Sequence, residues 1–331
     1  MVATEAQAQR QPLTIDHRTR LARRLGLPQP DIAGRRKRIA ELLNRKPLFP
    51  YRILKGPEGE TVEPVKKFVQ LLQNGNGGIV VANHRLSRDP FGLLEVLWAT
   101  DDYFCDVKVI TPVGDHQWKD ILAPIANYLG VTAVRTVTPH TREQGGSFDQ
   151  PPLLERAKTI FTYHVASRIG KADMGREEYE KKMRGKRRDG RTMLLHYLDT
   201  ATDILQSEGE KPGINVLLPQ AGREPGMTRF EMGPIQILIK AARKKGIKNI
   251  AFLVAGIGEK GSQNNRKGGF RPARTAEYTF AQPFTLEEAE PNIHKRNEEL
   301  KNDGKEPNFT IGDLVYEIML GVVPKGYKPK T

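Results

Sequence analysis

Apolar residues in this chain fall into short blocks that switch between helical spacing and strand-length runs. A helical pattern over 65–72 is closed by Asn74-Gly75-Asn76-Gly77-Gly78, and the run Ile79-Val80-Val81-Ala82 then predicts a short buried strand. The pattern continues with a helix over 90–99, a strand over 107–112, a helix over 117–129 capped by Gly130, and a strand over 131–134. Residues 138–190 break this rhythm. They open on Gln144-Gly145-Gly146-Ser147, carry a helical pattern over 153–168, and end in the basic run 181–188, which together predict a helical insertion.

The alternation then resumes with a helix over 193–207, a strand over 214–218, a helix over 235–244 and a strand over 250–255. Residues 258–274 are rich in Gly, Asn, Lys and Arg and predict a loop; 278–284 predicts a last strand and 311–322 a closing helix. No internal repeat is present. Strands alternating with helices imply an α/β class, with a mixed central sheet flanked by helices. Ahead of it, 1–12 reads as disordered, and 16–25 and 31–43 form two basic helical patterns split by Gly26 and two prolines. The expected organisation is a basic N-terminal helical extension over 1–61 and a main domain over 62–331, with the insertion at about 138–190.

Charge narrows the partners. Among 331 residues, Lys and Arg number 53 and Asp and Glu 39, a net charge of +14 that favours anionic partners: nucleic acid, an anionic membrane, or phosphorylated substrates. Aromatics are 7% and are not interleaved with arginine, and no nucleic-acid motif is present, so no nucleic-acid partner is expected. The basic patterns over 16–43 are read either as helices packed on the main domain or as a surface that docks on anionic headgroups. The run over 181–188 is read either as a solvated helix face or as a membrane or partner contact. The single cysteine, Cys105, allows neither an intrachain disulfide nor a cysteine zinc cluster, which fits a reducing cytoplasm. No secretory signal is expected at the polar N-terminus, and the longest apolar stretches are far short of the roughly 20 residues of a membrane span. A lipid substrate would therefore be reached from the membrane surface, by a cytoplasmic, peripheral protein.

Three clusters carry candidate chemistry. The first, Asn83-His84-Arg85-Leu86-Ser87-Arg88-Asp89-Pro90, lies between a buried strand and a helix. A carboxylate five positions after a histidine can fold back to accept the imidazole Nδ1–H, leaving Nε2 to take a proton from a substrate hydroxyl. The plainer reading makes Asp89 an N-cap beside Pro90 and His84 a loop residue. The second cluster, Leu218-Pro219-Gln220-Ala221-Gly222-Arg223-Glu224-Pro225-Gly226, also leaves a strand end. Gly222 permits close backbone approach and Arg223 offers a forked set of donors to a phosphate; the plainer reading is a Gly/Pro turn with a surface arginine. The third, Gly130 to Arg135, delivers Arg135 from another strand end.

In this order the clusters resemble the blocks of the glycerolipid acyltransferases, the family of the glycerol-3-phosphate and lysophosphatidate acyltransferases: Asn83-His84 with Asp89, Gly130 to Arg135, Pro219 to Arg223, then the apolar strand near Phe252. The resemblance covers roughly 64–285 without the insertion. It implies a glycerol-3-phosphate acyltransferase-like fold and transfer of a fatty acyl group from acyl-CoA or acyl carrier protein to a hydroxyl of glycerol-3-phosphate or lysophosphatidate, in phospholipid biosynthesis. His84 would be the general base and Asp89 its orienting carboxylate. Arg223 with Arg135 and Gly222 would hold the acceptor phosphate, with Asn83, Gln220 and Arg229 as further candidates. No metal or tightly bound cofactor is implied. The third block departs from the family pattern. Gln220-Ala221-Gly222-Arg223 is nearer to the Pro-Ser-Gly-Gly-Arg form of the soluble plastid-type enzymes, Pro225 stands where those carry a second arginine, and Arg229 could substitute. The fourth block has Leu253 in place of its usual proline. Two other readings stand beside this one: acylation of another lipid acceptor, and a non-catalytic protein that binds anionic membranes or nucleic acid.

Overall fold

In a computed structural model of the chain, the described residues are 34, 36–38, 51–59, 61–84, 89–114, 131–136, 147–148, 158–162, 178, 187–188, 190–206, 212–219, 226–227, 232–259, 275–323 and 328–329. In chain order they form β1 (Tyr51–Ile53), α1 (Glu63–Gln73), β2 (Gly77–Ala82), α2 (Asp89–Thr100), α3 (Tyr103–Asp106), β3 (Val109–Gly114), β4 (Val131–Thr136), β5 (Ser147–Phe148) and β6 (Arg187–Arg188). There follow α4 (Gly190–Gln206), β7 (Ile214–Leu217), β8 (Gly226–Met227), α5 (Gly233–Lys244), β9 (Ile250–Glu259), β10 (Ala276–Phe280), β11 (Phe284–Thr285), α6 (Leu286–Asn302), α7 (Ile311–Val322) and β12 (Lys328–Pro329).

The central sheet is mixed, in the order β4-β3-β7-β2-β9-β10-β1, with β11 also pairing on β9. From β4 to β9 every neighbouring pair is parallel; β10 returns antiparallel to β9, and β1 lies parallel to β10. Strand β2, between β7 and β9, is buried along its whole length because both faces of the sheet are covered. Its side chains alternate: Ile79 and Val81 join the core beneath α4, α5, α6 and α7, while Val80 and Ala82 join the core beneath α1, α2 and α3. These two apolar layers enclose the sheet as the α/β class requires.

Each helix follows from its residues. In α1, Val65, Phe68, Val69 and Leu72 are all buried, the i, i+3, i+4, i+7 stripe of an amphipathic helix. Phe68 stacks on Phe104 of α3 with ring centroids 6.4 Å apart. Gly75, at φ +88°, ends the helix by a left-handed turn that other residues resist. Gly77 and Gly78 belong to the strand rather than to the helix stop. A side chain at Gly77 would strike the backbone of Leu205 in α4, and one at Gly78 would meet Ile214, Leu72 and Phe68. By contrast, α2 has no polar face between Gly92 and Trp98, where every residue is buried.

Several elements lie beyond the sequence expectations. β1 falls within the stretch assigned to the N-terminal extension and closes the edge of the sheet. The predicted last strand over 278–284 is two strands, β10 and β11, both on β9. β9 runs to Glu259 and so takes in Gly258 from the predicted loop. α6 was not expected. It buries only Leu286 and Ala289 and contains Pro291, but a capping box starts it, with Glu288 N–H donating to Thr285 Oγ1 and Thr285 N–H donating to Glu288 Oε2. The predicted helix over 117–129 lies outside the described residues, as do most of the insertion and residues 260–274.

The extension is tied to the domain by a buried arginine. Residues 36–38 are helical, and Arg36 is 2% exposed. Its Nη1 donates to the carbonyls of Val107 at 2.6 Å and Cys105 at 3.3 Å, just where α3 ends, and its guanidinium lies 5.9 Å from the Trp98 ring centre. A cation at a helix C-terminus satisfies carbonyls that the helix leaves open. Burial lowers the Arg36 pKa to about 10, partly offset by the nearby Cys105 and Asp106. On this side of the extension the packed reading holds, at least for Arg36. Among the described residues, no helix is long and apolar enough to cross a membrane.

The Arg36→Ala variant is expected to lose about 2–3 kcal/mol in urea unfolding, the scale of a charged hydrogen bond whose carbonyl partners stay buried. Cys105, whose thiol burial pushes up to about 11, should resist a thiol reagent at pH 8 in the native protein and react faster in that variant. Unchanged unfolding and labelling would detach Arg36 from the core.

Candidate functional site

The parallel strands β2, β7, β3, β4 and β9 all end along one edge of the sheet. At that edge β2 leads to α2 on one face, while β7 leads towards α5 on the other. Adjacent strands whose connections depart to opposite faces leave a crevice between them, the usual ligand position in open α/β sheets. His84 lies at this place, two residues beyond the end of β2 and 7% exposed.

Asn83 fixes that exit. Its Nδ2 donates to the Ile257 carbonyl at 3.0 Å, and Ile257 N–H donates to its Oδ1 at 2.6 Å. The carboxamide thus continues the β2–β9 ladder, whose last backbone pair is Ala82 with Ala255, by one further rung. Asn83 is fully buried. Both halves of its carboxamide are bonded to the Ile257 backbone, immediately before His84.

Asp89 is the first residue of α2, followed by Pro90, so His84 and Asp89 stand at the two ends of the β2–α2 connection. An acidic residue there also suits the positive end of the helix dipole. Gly92, in the first turn of the same helix, lies against the Tyr278 hydroxyl. A methyl group built at Gly92 would collide with that oxygen, while the next nearest atom, Tyr278 Cζ, would be 3.7 Å away.

Arg135 is the fifth residue of β4, paired in register with Val113 of β3. β4 is three strand spacings from β2, roughly 14 Å along the edge, whereas β7 is the immediate neighbour of β2. The chain leaving β7 at Leu218 and Pro219 is therefore nearer to His84 along this edge than the strand that carries Arg135. Gln220, Gly222, Arg223 and Arg229 lie outside the described residues.

One buried group was missed in the sequence. Glu95 of α2 is 3% exposed within the apolar layer. It acts with burial, the larger cause, to raise the Tyr51 pKa. Tyr51 packs edge-on against Tyr278, ring centres 6.3 Å apart. A single carboxylate in an apolar helical run was the available signal for Glu95. Among the described residues, no group of three His, Cys, Asp or Glu side chains converges in a way that could hold a metal. A cleft of about 330 Å³ lies elsewhere, between the β1–α1 connection, the end of β10 and α7. Its charged lining groups are Glu58 and Glu317, which repel a phosphate, and β9 lies between β2 and β10, whose end lines the cleft.

No protein-family model matches this chain, and no curated protein matches it in sequence.

Replacing Asn83 by Asp keeps the shape but removes the Nδ2 donor and sets a carboxylate against the Ile257 carbonyl. A loss of about 1–3 kcal/mol is expected at neutral pH. Thermal unfolding that matches the parent would show that the carboxamide does not hold the strand end.

Proposed function

We propose that this protein is an O-acyltransferase with a glycerol-3-phosphate acyltransferase-like fold. It moves a fatty acyl group from acyl-CoA or acyl carrier protein to a hydroxyl of glycerol-3-phosphate or lysophosphatidate. The observation that carries this reading is the position of His84. It stands at the exit of the central parallel strand, held by Asn83, with Asp89 opening the next helix and the Pro219–Arg223 stretch leaving the neighbouring strand.

In this reading the acceptor phosphate is held by Arg223, with Gly222 allowing close backbone approach. Arg135 serves from further along the edge, so an acceptor touching both arginines would bridge β3. Binding the phosphate places the acceptor hydroxyl at His84, and converting an encounter of two substrates into one bound geometry supplies much of the rate gain. His84 takes the hydroxyl proton as the oxygen attacks the thioester carbonyl. Asp89 orients the imidazole and stabilises its cationic form. The tetrahedral intermediate collapses by breaking the C–S bond, and the imidazolium returns its proton to the departing thiolate. The acyl group passes directly to the acceptor, with no acyl-enzyme. The net charge of +14 suits both a phosphorylated acceptor and an anionic membrane from which lysophosphatidate would be drawn.

The test is an assay of the purified full chain with glycerol-3-phosphate and lysophosphatidate as acceptors, and acyl-CoA and acyl carrier protein as donors. His84→Ala is expected to lower transfer by about 1,000-fold, the middle of a general base contribution of roughly 10²–10⁴, with the fold kept. Arg223→Ala should raise the acceptor KM far more than the donor KM. Turnover by the histidine variant near that of the parent, or no transfer with any of the four pairs, would refute the reading.

A further inference from the structure

We propose that the insertion and the first turns of α4 form the surface by which this protein docks on an anionic lipid bilayer, with Ile160, Phe161, Leu194 and Leu195 entering the acyl region. The inference deepens the acyltransferase reading, on which its activity arm rests, by assigning a surface to the membrane that would supply a lipid acceptor. Its binding arm needs no turnover.

Large apolar side chains that stand in solvent are few. Among the described residues there are five, and four of them, Ile160, Phe161, Leu194 and Leu195, fall on the insertion or on the helix that follows it. Single exposed residues of this kind are ordinary. Two adjacent pairs in one stretch of chain are a concentration. Phe161, on a helical segment over 158–162, is 58% exposed, and Leu195 is 51% exposed.

The course of α4 explains why its leucines are uncovered. Leu194, Leu198, Ala201 and Leu205 succeed one another at spacings of four, three and four, the stripe of an amphipathic helix. The last three are buried in the core, whereas Leu194 is 38% exposed. The stripe therefore runs on past what covers it. The far end of the helix is fixed at the start of the parallel strands. Gly213, just before β7, donates its N–H to the Ile204 carbonyl at 2.9 Å, and Gly77 of β2 leaves no room for a side chain against the Leu205 backbone. From there α4 crosses the sheet over β7 and β3 to β4. Its first turns thus lie on the β4 side, at the end strand of the sheet, which carries Arg135.

Charge selects the occupant. Residues 181–188 hold six cations and no acid, and they end one residue ahead of α4. The last two, Arg187 and Arg188, form β6, paired with Phe148 and Ser147. Exposed apolar residues beside a run of Lys and Arg suit an acyl layer beneath anionic headgroups. A second copy of this chain is a poorer match, because two molecules that each carry +14 repel one another.

The experiment measures co-sedimentation of the full chain with vesicles of phosphatidylcholine alone and of phosphatidylcholine mixed with phosphatidylglycerol. The parent is expected to bind the mixed vesicles in preference to the neutral ones and to release them as salt rises. Leu194→Ser/Leu195→Ser and Ile160→Ser/Phe161→Ser should each lower the partition coefficient about tenfold. Thermal unfolding should stay at the parent midpoint, since all four side chains are already exposed. Leu195→Trp and Phe161→Trp give a readout that survives a serine variant that fails to fold: the emission each adds over the parent should be quenched by lipids brominated in their acyl chains. In the activity arm, the serine variants should lose transfer to lysophosphatidate held in vesicles and keep transfer to glycerol-3-phosphate from acyl carrier protein. If the parent proves inactive with every substrate pair, the acyltransferase reading fails, and vesicle binding and quenching still decide the docking surface. A parent that ignores anionic vesicles, a serine pair that binds them like the parent, or added emission that is not quenched would overturn the proposal. So would a parent dimer that the serine variants dissociate.

Discussion

The placement of His84 depends on a pair of hydrogen bonds between a side chain and a distant strand. Asn83 uses both halves of its carboxamide on the backbone of Ile257, 174 residues away. A buried polar side chain that left either group unmatched would cost more than the bonds return. Here both are matched, and β2 is locked to β9 one rung past the last backbone pair. The chain can then turn out of the sheet at a defined point, and His84 emerges there, at the crevice between β2 and β7. A strand end held this firmly suits a residue whose work would depend on orientation more than on affinity.

The surrounding architecture serves the same end. β2 is covered on both faces, so it has little freedom to slide or tilt. α2 is buried on all sides between Gly92 and Trp98, with Arg36 over Trp98 and Tyr278 under Gly92. The helix that carries Asp89 is therefore held from the extension and from the sheet at once. The N-terminal segment, for which packing on the domain and docking on a membrane surface were both open readings, gives at least one of its arginines to the interior.

How much of this the sequence reveals follows from which interactions are local. β2 and β9 are legible because burial on both faces writes them as apolar runs, β7 as a short run broken only by Asn215, and α1 and α7 because each buries one clear stripe. α6 is not legible from apolar spacing, since it hides only Leu286 and Ala289 and carries Pro291. Its capping box at Thr285 and Glu288 was the signal to read. β1 has only three residues and becomes a strand by pairing with β10. The place of His84 could be read from a strand followed by a helix. The roles of Asn83, Gly92 and Tyr278 could not, because each is defined by a partner more than 170 residues away. Their neighbours in sequence carry no mark of that contact.

The most direct measurement of the central claim is a structure of the protein soaked with glycerol-3-phosphate and a non-hydrolysable thioether analogue of acyl-CoA. The account predicts an acceptor hydroxyl within about 3 Å of a His84 ring nitrogen, the phosphate beside the chain leaving β7, and the thioether carbon facing that hydroxyl. Phosphate bound on another face of the sheet, or a hydroxyl remote from His84, would contradict it.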